Sequence, residues 1–272
     1  MKDVQAGTIT TDDFRMDYFR FGQGPQTLVI LSGLSVKSVT DYAAAVAEAY
    51  SLLADAFTVY VLDRRKDLPA EYPVYRMAAD SAAAIRTLGT GPVCLFGASQ
   101  GGMIAMTIAI EQPELVRRLI LGSTAARMDP ERYQTVEEWL GLARAGDAKA
   151  LYLAFGKAIY PPEVFEQSRD LLAAAALGVS DRDLQRFVIL AEGMKHFDVT
   201  DRLRRIACPV LVIGSRDDRV LGPDAAGEIG EQFSERPNAE LFLYDGYGHA
   251  AYDTAPDYKE RIKRFLTSGP AR

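Results

Sequence analysis

The chain has 272 residues, of which 48% are hydrophobic and 25% are charged. These fractions match an average soluble globular protein, so they exclude a disordered chain, a collagen-like chain and a small disulfide-stapled scaffold. The sequence holds 31 lysines and arginines against 37 aspartates and glutamates, which gives a net charge of −6. Because phosphate contacts need clustered cations, an acidic chain of this kind predicts no nucleic-acid partner.

Two further features bear on where the protein works. The first seven residues contain no apolar stretch, and no apolar run approaches the ~18 residues that a membrane span needs. We therefore expect neither a secretory signal nor a membrane partner. Cys94 and Cys208 lie at or beside buried-strand patterns and lack metal-ligand spacing. We expect both to be free thiols in a cytoplasmic protein that is a monomer or a homodimer.

Strand and helix patterns alternate over the first 121 residues. The runs 27–31 and 57–62 are continuously apolar, which is typical of strands buried on both faces of a parallel sheet. The Ala-rich and amphipathic stretches between the strands have helical spacing. The pattern predicts strands over 14–21, 27–31, 57–62, 92–96 and 118–121, and helices over 42–56, 75–88 and 100–111.

From about Arg127 to about Ile206 every segment has helical spacing, and strand and helix patterns then alternate again. This second part predicts helices over 136–145, 148–158, 164–177, 181–195, 223–233 and 256–266, and strands over 210–213 and 240–244. The order predicts an α/β fold with a mostly parallel central sheet flanked by helices. We expect residues 1–127 and 206–272 to form this core and residues 128–205 to form an all-helical cap. Such insertions lie over the carboxyl edge of the strands, where ligands bind.

Residues 97–101 read Gly-Ala-Ser-Gln-Gly, directly after a predicted strand and directly before a predicted helix. A pattern Gly-x-Ser-x-Gly occurs by chance in about one chain in ten of this length, so its position decides its meaning. Strand, sharp turn and helix together are the geometry of a nucleophile elbow. The turn leaves no room for side chains at Gly97 and Gly101, and it exposes Ser99 at a helix N-terminus, where an oxyanion is favoured. The alternative is a Gly-rich helix start capped by serine.

A serine hydroxyl is a weak nucleophile unless a neighbouring base takes its proton. The chain has only two histidines, His196 and His249. His249 follows Gly-Tyr-Gly in a predicted loop between the last strand and the last helix, which suits a side chain that must reach another loop. We predict that His249 is the base, the alternative being an ordinary loop histidine. His196 ends the helical insertion and reads as a helix-terminus residue, with a hinge or substrate-lining role as the second possibility.

The acid of such a site should follow the strand 210–213, where Asp217 and Asp218 are adjacent. One carboxylate would hold the imidazole in the correct tautomer and stabilise its protonated form. The other would be a surface charge or a helix N-terminal aspartate. The resulting order Ser, Asp, His is the order that a nucleophile-elbow fold uses.

Taken together, these motifs resemble the α/β-hydrolase-fold family, in particular the small cap-bearing members that include lactonases, carboxylesterases and carbon–carbon bond hydrolases. The resemblance covers nearly the whole chain, and it is specific for the fold rather than for the substrate. It is carried by Leu31-Ser32-Gly33-Leu34, Val61-Leu62-Asp63-Arg64-Arg65, residues 97–102, residues 112–121, residues 208–214 and Gly248-His249.

The resemblance implies further roles. In similar proteins the acid stands two residues before an apolar residue that packs into the core. Val220 is such a residue and favours Asp218, whereas counting residues forward from Gly214 at the end of the strand favours Asp217. We choose Asp218, because a buried anchor fixes direction while loop length varies. The backbone N–H groups of Leu34 and Gln100 would be the oxyanion donors.

Two departures from the family pattern stand out. Ser32 replaces the usual histidine before Gly33, which alters the surroundings of the oxyanion donors rather than the donors themselves. In the loop after the next strand, Arg65-Lys66-Asp67-Leu68-Pro69 replaces the usual glycines, so we expect this loop to be stiffer or differently shaped; Arg64 directly precedes it. These arginines either brace neighbouring loops, which is the more common role, or contact an anionic substrate.

The leading hypothesis is a serine hydrolase of an ester, lactone or related acyl bond in a small, largely apolar substrate, with no metal and no organic cofactor. The same triad would serve a carbon–carbon bond hydrolase, a thioesterase or a cofactor-free haloperoxidase. A ligand-binding or receptor protein on the same fold is the alternative from another class. An apolar pocket is expected because the insertion carries large side chains, at Tyr133, Trp139, Leu140, Tyr152, Phe155, Tyr160, Phe165 and Phe187.

Overall fold

The computed structural model describes residues 4–269, and its centre is a sheet of eight strands. The strands are β1 (Gln5–Thr10), β2 (Arg15–Phe21), β3 (Gln26–Leu31), β4 (Phe57–Arg65), β5 (Val93–Ala98), β6 (Val116–Gly122), β7 (Val210–Ser215) and β8 (Ala239–Tyr244). Their order across the sheet is β1-β2-β4-β3-β5-β6-β7-β8. The first two strands pair antiparallel and β2 is antiparallel to β4, while every later pairing is parallel. The mostly parallel sheet is thus confirmed.

The register brings the carboxyl ends of the central strands to one edge of the sheet. Leu31 at the end of β3 pairs with Gly97 near the end of β5. Ala98 pairs with Gly122 at the end of β6, and Gly122 pairs with Ile213 in β7. The loops that follow β3, β5, β6 and β7 therefore meet at this edge.

Helices cover both faces of the sheet. They are α1 (Ala43–Ala49), α2 (Val74–Leu88), α3 (Gln100–Glu111), α4 (Pro130–Arg144), α5 (Ala148–Ile159), α6 (Pro162–Ala175), α7 (Asp181–Glu192), α8 (Ala225–Glu231), α9 (Ala251–Thr254) and α10 (Tyr258–Thr267). Alternate residues of a strand belong to different hydrophobic cores, as Leu28 and Val29 of β3 show. The larger core also includes residues of α2, α3 and α4, and the other contains the buried stripe of α10.

The four helices α4 to α7 occupy the chain between β6 and β7. Side chains cap the starts of three of them: Asp129 and Asp147 accept hydrogen bonds from the first turns of α4 and α5, and Ser180 and Asp183 form a capping box at α7. A β-bridge between Arg127 and Asp198 joins the two chain segments that enter and leave this helical part.

Several predicted bounds are wrong. The helix expected over 42–56 is only α1, because the chain tightens into a 3₁₀ turn over Ser51–Leu53 that buries Leu53 and leads into β4. The helix expected at 136 begins at Pro130, where Asp129 caps it and proline suits the first turn. The first strand and α9 were not predicted; β1 buries only Ile9, so it shows no hydrophobic alternation.

The outermost residues of the predicted core, 1–3 and 270–272, lie outside the described residues. Within residues 4–269, none of the helices has both the length and the apolar character that crossing a membrane requires. Both cysteines are free, Cys94 buried and Cys208 half-buried.

Candidate active site

Ser99 occupies the sharp turn between β5 and α3, with backbone angles φ 53° and ψ −121°. A non-glycine residue with positive φ is strained, and such strain persists only where the surroundings fix it. The Ser99 amide donates to the Gly122 carbonyl at 2.8 Å, and Thr124 Oγ1 donates to the Ser99 carbonyl at 2.7 Å. These two bonds tie the turn to the end of β6 and hold the serine in place.

The glycines on either side of the serine are required by close backbone approach. A Cβ on Gly97 would lie 2.2 Å from the carbonyl oxygen of Gly101, and a Cβ on Gly101 would lie 2.0 Å from the carbonyl oxygen of Leu31. No real Cβ comes this close to backbone. The geometry of the turn thus agrees with the steric argument for the Gly-x-Ser-x-Gly pattern.

His249 lies in the loop between β8 and α9, with its ring against Ser99. The Nε2 atom is 3.0 Å from Ser99 Oγ, and Nδ1 is 2.8 Å from Asp218 Oδ2. All three residues are buried, with 2 to 8% of their surface exposed. A serine, a histidine and an aspartate in this chain of contacts can move the serine proton onto the ring while the carboxylate stabilises the charged imidazole.

Asp218, rather than Asp217, is the aspartate that the structure places beside His249. Its second oxygen, Oδ1, accepts from the amides of Val220 at 2.8 Å and Leu221 at 3.0 Å. Val220 is buried, as the argument for Asp218 required. The carboxylate is therefore held on one side by backbone and presented on the other to the imidazole.

Asp217 is exposed, as a surface charge would be, and it also binds the loop that carries His249. Its carboxylate accepts from Ser215 Oγ and from the amides of Gly246 and Gly248, each amide at 3.0 Å. Partial burial alone would raise the pKa of Asp217, but these hydrogen bonds outweigh it and lower the pKa below its ordinary value. The sequence could not show this role, because the loop that carries His249 returns to Asp217 from 29 residues away.

The two expected oxyanion donors belong to segments that adjoin Ser99. Gly33 passes so close to the serine that a Cβ there would lie 3.2 Å from Ser99 Cβ, which places the loop of Leu34 against the nucleophile. Gln100 is the first residue of α3, and both it and Leu34 are buried. Within residues 4–269, neither amide donates a hydrogen bond to another group. Both amides are thus available to a substrate oxygen.

Both arginines at the carboxyl end of β4 contact neighbouring loops. Arg64 is buried and donates to the Ser32 carbonyl and to Gln100. Arg65 donates to the carbonyls of Asp67 and Asp13 and pairs with Asp80 at 3.4 Å. These contacts are those of bracing residues, which is the first of the two roles considered for them.

His196 is exposed, has φ of 64° and makes no hydrogen bond in the described part of the chain. The structure does not bring it to the site. Trp139, Phe155 and Phe187 form one aromatic cluster of the helical part, with ring centroids 4.3 Å apart for the first pair and 6.4 Å for the second. Tyr133, Trp139, Leu140 and Phe187 are buried, so they pack the helices.

A mostly parallel sheet with a strained serine at the turn after its central strand is the architecture of an α/β hydrolase. The chain belongs to the alpha/beta hydrolase family, whose model matches residues 28–258. It is 28% identical over 223 residues to a protein of Agrobacterium fabrum that carries the name carbamate hydrolase RutD, covering 79% of this chain and 84% of the relative. It is 31% identical over 192 residues to a Haemophilus influenzae protein named esterase/lipase, covering 70% of this chain and 66% of the relative.

The fold is shared with solved structures. The crystal structure of MGS-M2, an alpha/beta hydrolase enzyme from a Medee basin deep-sea metagenome library, superposes with a TM-score of 0.85. The two chains are 21% identical, and the match covers 98% of this chain and 99% of the other. The protein thus has the α/β-hydrolase fold, as its sequence motifs imply.

Proposed function

We propose that the protein is a serine hydrolase that cleaves an ester, a lactone or a related acyl bond through an acyl-enzyme. The contact that carries the proposal is the buried chain from Ser99 Oγ through His249 to Asp218, with distances of 3.0 and 2.8 Å. The esterase/lipase name of the Haemophilus influenzae relative supports the same class of bond.

The reaction follows from this geometry. Ser99 Oγ attacks the substrate carbonyl carbon while its proton passes to His249 Nε2, and the carbonyl π electrons move onto the oxygen. The Leu34 and Gln100 amides stabilise that oxyanion, and each such donor is typically worth about 10²–10³ in kcat. The oxyanion then collapses, the bond to the leaving oxygen breaks, and His249 returns the proton to that oxygen. A water molecule, activated in turn by His249, cleaves the acyl-enzyme by the same steps.

We further propose that residues 128–205 act as a cap over the site and that the substrate is small and largely apolar. Leu190 of α7 accepts a hydrogen bond from the Gln100 side chain at 2.7 Å, so this helix lies directly beside the nucleophile turn. The aromatic cluster of Trp139, Phe155 and Phe187 gives the same helical part an apolar interior.

We also propose that the protein is cytoplasmic. The free state of both cysteines supports this location, because disulfides are rare in the reducing cytoplasm.

The test is a panel of p-nitrophenyl esters of graded chain length together with simple lactones, each scored as kcat/KM for the wild-type protein and for Ser99→Ala. We expect at least one substrate to be hydrolysed by the wild type and the activity to fall by about 10³-fold or more in the variant. Negligible rates across the whole panel would count against both ester and lactone hydrolysis.

Carbamate hydrolysis is the second candidate, because relatives that carry the name carbamate hydrolase RutD match this chain at 28% identity. A carbamate presents the same carbonyl to Ser99 but has a nitrogen beside it. Aryl carbamates in the same panel separate the two: faster release from carbamates than from matched esters would favour this second function.

A further inference from the structure

Arg64 is a charged residue buried beneath the nucleophile turn. It lies near the carboxyl end of β4, and only 3% of its surface is exposed. Its Nη2 atom donates to the carbonyl oxygen of Ser32 at 2.8 Å and to Gln100 Oε1 at 3.1 Å. A single guanidinium nitrogen therefore touches both segments that flank Ser99.

These two segments are the ones that carry the proposed oxyanion donors. Ser32 opens the short loop that leads through Gly33 to the Leu34 amide, and Gln100 contributes its own amide. The Gln100 side chain also donates to the carbonyl of Leu190 in α7 at 2.7 Å. Arg64 and the Gln100 side chain thus form one polar connection from the loop after β3, across the start of α3, to the helical part.

Burying this cation is costly for folding. Arg64 Nε and Nη1 are buried and find no acceptor within residues 4–269. Burial lowers the pKa of Arg64 to about 10, although the neighbouring Asp63 opposes this shift, so the side chain is still charged at neutral pH. A buried charge with unused donors destabilises a protein unless other interactions compensate, and sites that break folding rules in this way are often functional.

We propose that Arg64 is a positioning residue of the oxyanion hole: by holding the Ser32 carbonyl and the Gln100 side chain, it fixes the spacing of the Leu34 and Gln100 amides. The proposal rests on the proposed function, since it needs an oxyanion to form beside Ser99. An oxyanion hole stabilises the transition state because its donors are already in place, and a misplacement of 1 Å can cost about 10²-fold in rate.

The test compares Arg64→Met with the matched control Arg65→Met, using the best ester found for the wild type. Arg65 is the next residue and also braces loops, but its partners are Asp13, Asp67 and Asp80, away from the oxyanion segments. Three quantities are measured for each protein: kcat, KM and the midpoint of thermal unfolding.

For Arg64→Met we expect kcat to fall by about 10- to 100-fold with KM unchanged, as for an interaction made only in the transition state. The unfolding midpoint should stay the same or rise, since the loss of two hydrogen bonds is offset by the removal of a buried cation whose Nε and Nη1 have no acceptor among residues 4–269. For Arg65→Met we expect the reverse, a lower midpoint with kcat close to that of the wild type. A residue with a merely structural role could not give lower activity together with equal or higher stability.

A second variant, Gln100→Met, removes the side-chain partner of Arg64 but keeps the backbone amide. Because both substitutions remove the bond between Arg64 and Gln100, the two losses in kcat should combine to less than their product in the double variant. The proposal is overturned if kcat of Arg64→Met stays within about threefold of wild type, if its midpoint falls or it does not fold, or if the two effects multiply. A wild-type protein that turns over no substrate would instead overturn the proposed function.

Discussion

Two adjacent aspartates take different tasks at the residue scale. Asp218 presents one oxygen to His249 Nδ1 at 2.8 Å, and Asp217 presents both of its oxygens to the loop that carries His249. Gly246 and Gly248, whose amides Asp217 binds, both have positive φ, so the loop needs glycine at these positions. The histidine is therefore oriented directly by Asp218 and indirectly, through its own backbone, by Asp217.

This division predicts unequal effects of the two asparagine substitutions. Asp218→Asn should cut kcat by about 10⁴, because an amide cannot stabilise the charged imidazole and favours the wrong tautomer. Asp217→Asn keeps one acceptor oxygen and should cut kcat by about tenfold at most, since it weakens one contact to the loop without touching the ring. Steady-state kcat, measured on the two folded variants, shows which aspartate acts on His249. The opposite ranking would show that Asp217 is the catalytic acid.

At the scale of elements, helix α7 is held to the core by polar contacts as well as by packing. Arg186 donates to the carboxylate of Asp63 at the end of β4 and to the Ser35 carbonyl at 3.4 Å. The side chains of Arg186 and Asp63 are only 17% and 9% exposed. Removing the arginine from this pair would leave a nearly buried carboxylate with fewer donors.

We therefore expect Arg186→Met to lower the free energy of unfolding by about 2–3 kcal/mol, below the cost of breaking a fully buried ion pair because some solvent reaches this one. The matched control is Arg182→Met in the same helix, at an exposed position, which should change stability by no more than ~0.5 kcal/mol. Urea unfolding monitored by circular dichroism measures both. Equal stabilities for the two variants would mean that the Arg186–Asp63 pair contributes nothing to the docking of α7.

At the scale of the whole molecule, elements with a strong local pattern could be predicted from sequence. Helix α3 has the predicted bounds, Gln100–Glu111, because a glycine-rich turn starts it and a mostly apolar run continues it. Strands β3 and β4 were found as apolar runs. The edge strand β1 was missed because it gains its place by pairing with β2 rather than by burying side chains.

The residues of the site, like the elements of the fold, could be predicted only where a local pattern identifies them. Ser99 stands in a local motif and His249 is one of only two histidines, so both could be named from sequence. The contacts of Asp217 and Arg64 join residues that are about 30 residues or more apart along the chain. Such contacts depend on how the loops meet at the sheet edge, which no local pattern specifies.

The proposed function depends on Ser99 being a nucleophile activated by His249 and Asp218. Its most direct test is labelling with a fluorophosphonate probe, followed by the intact mass of the protein and by mapping of the modified peptide. We expect one probe per chain on Ser99 in the wild-type protein and none in Ser99→Ala. No labelling of the folded wild-type protein, or labelling at another residue with Ser99→Ala equally reactive, would contradict the role of Ser99 as the nucleophile and favour a ligand-binding role for the fold.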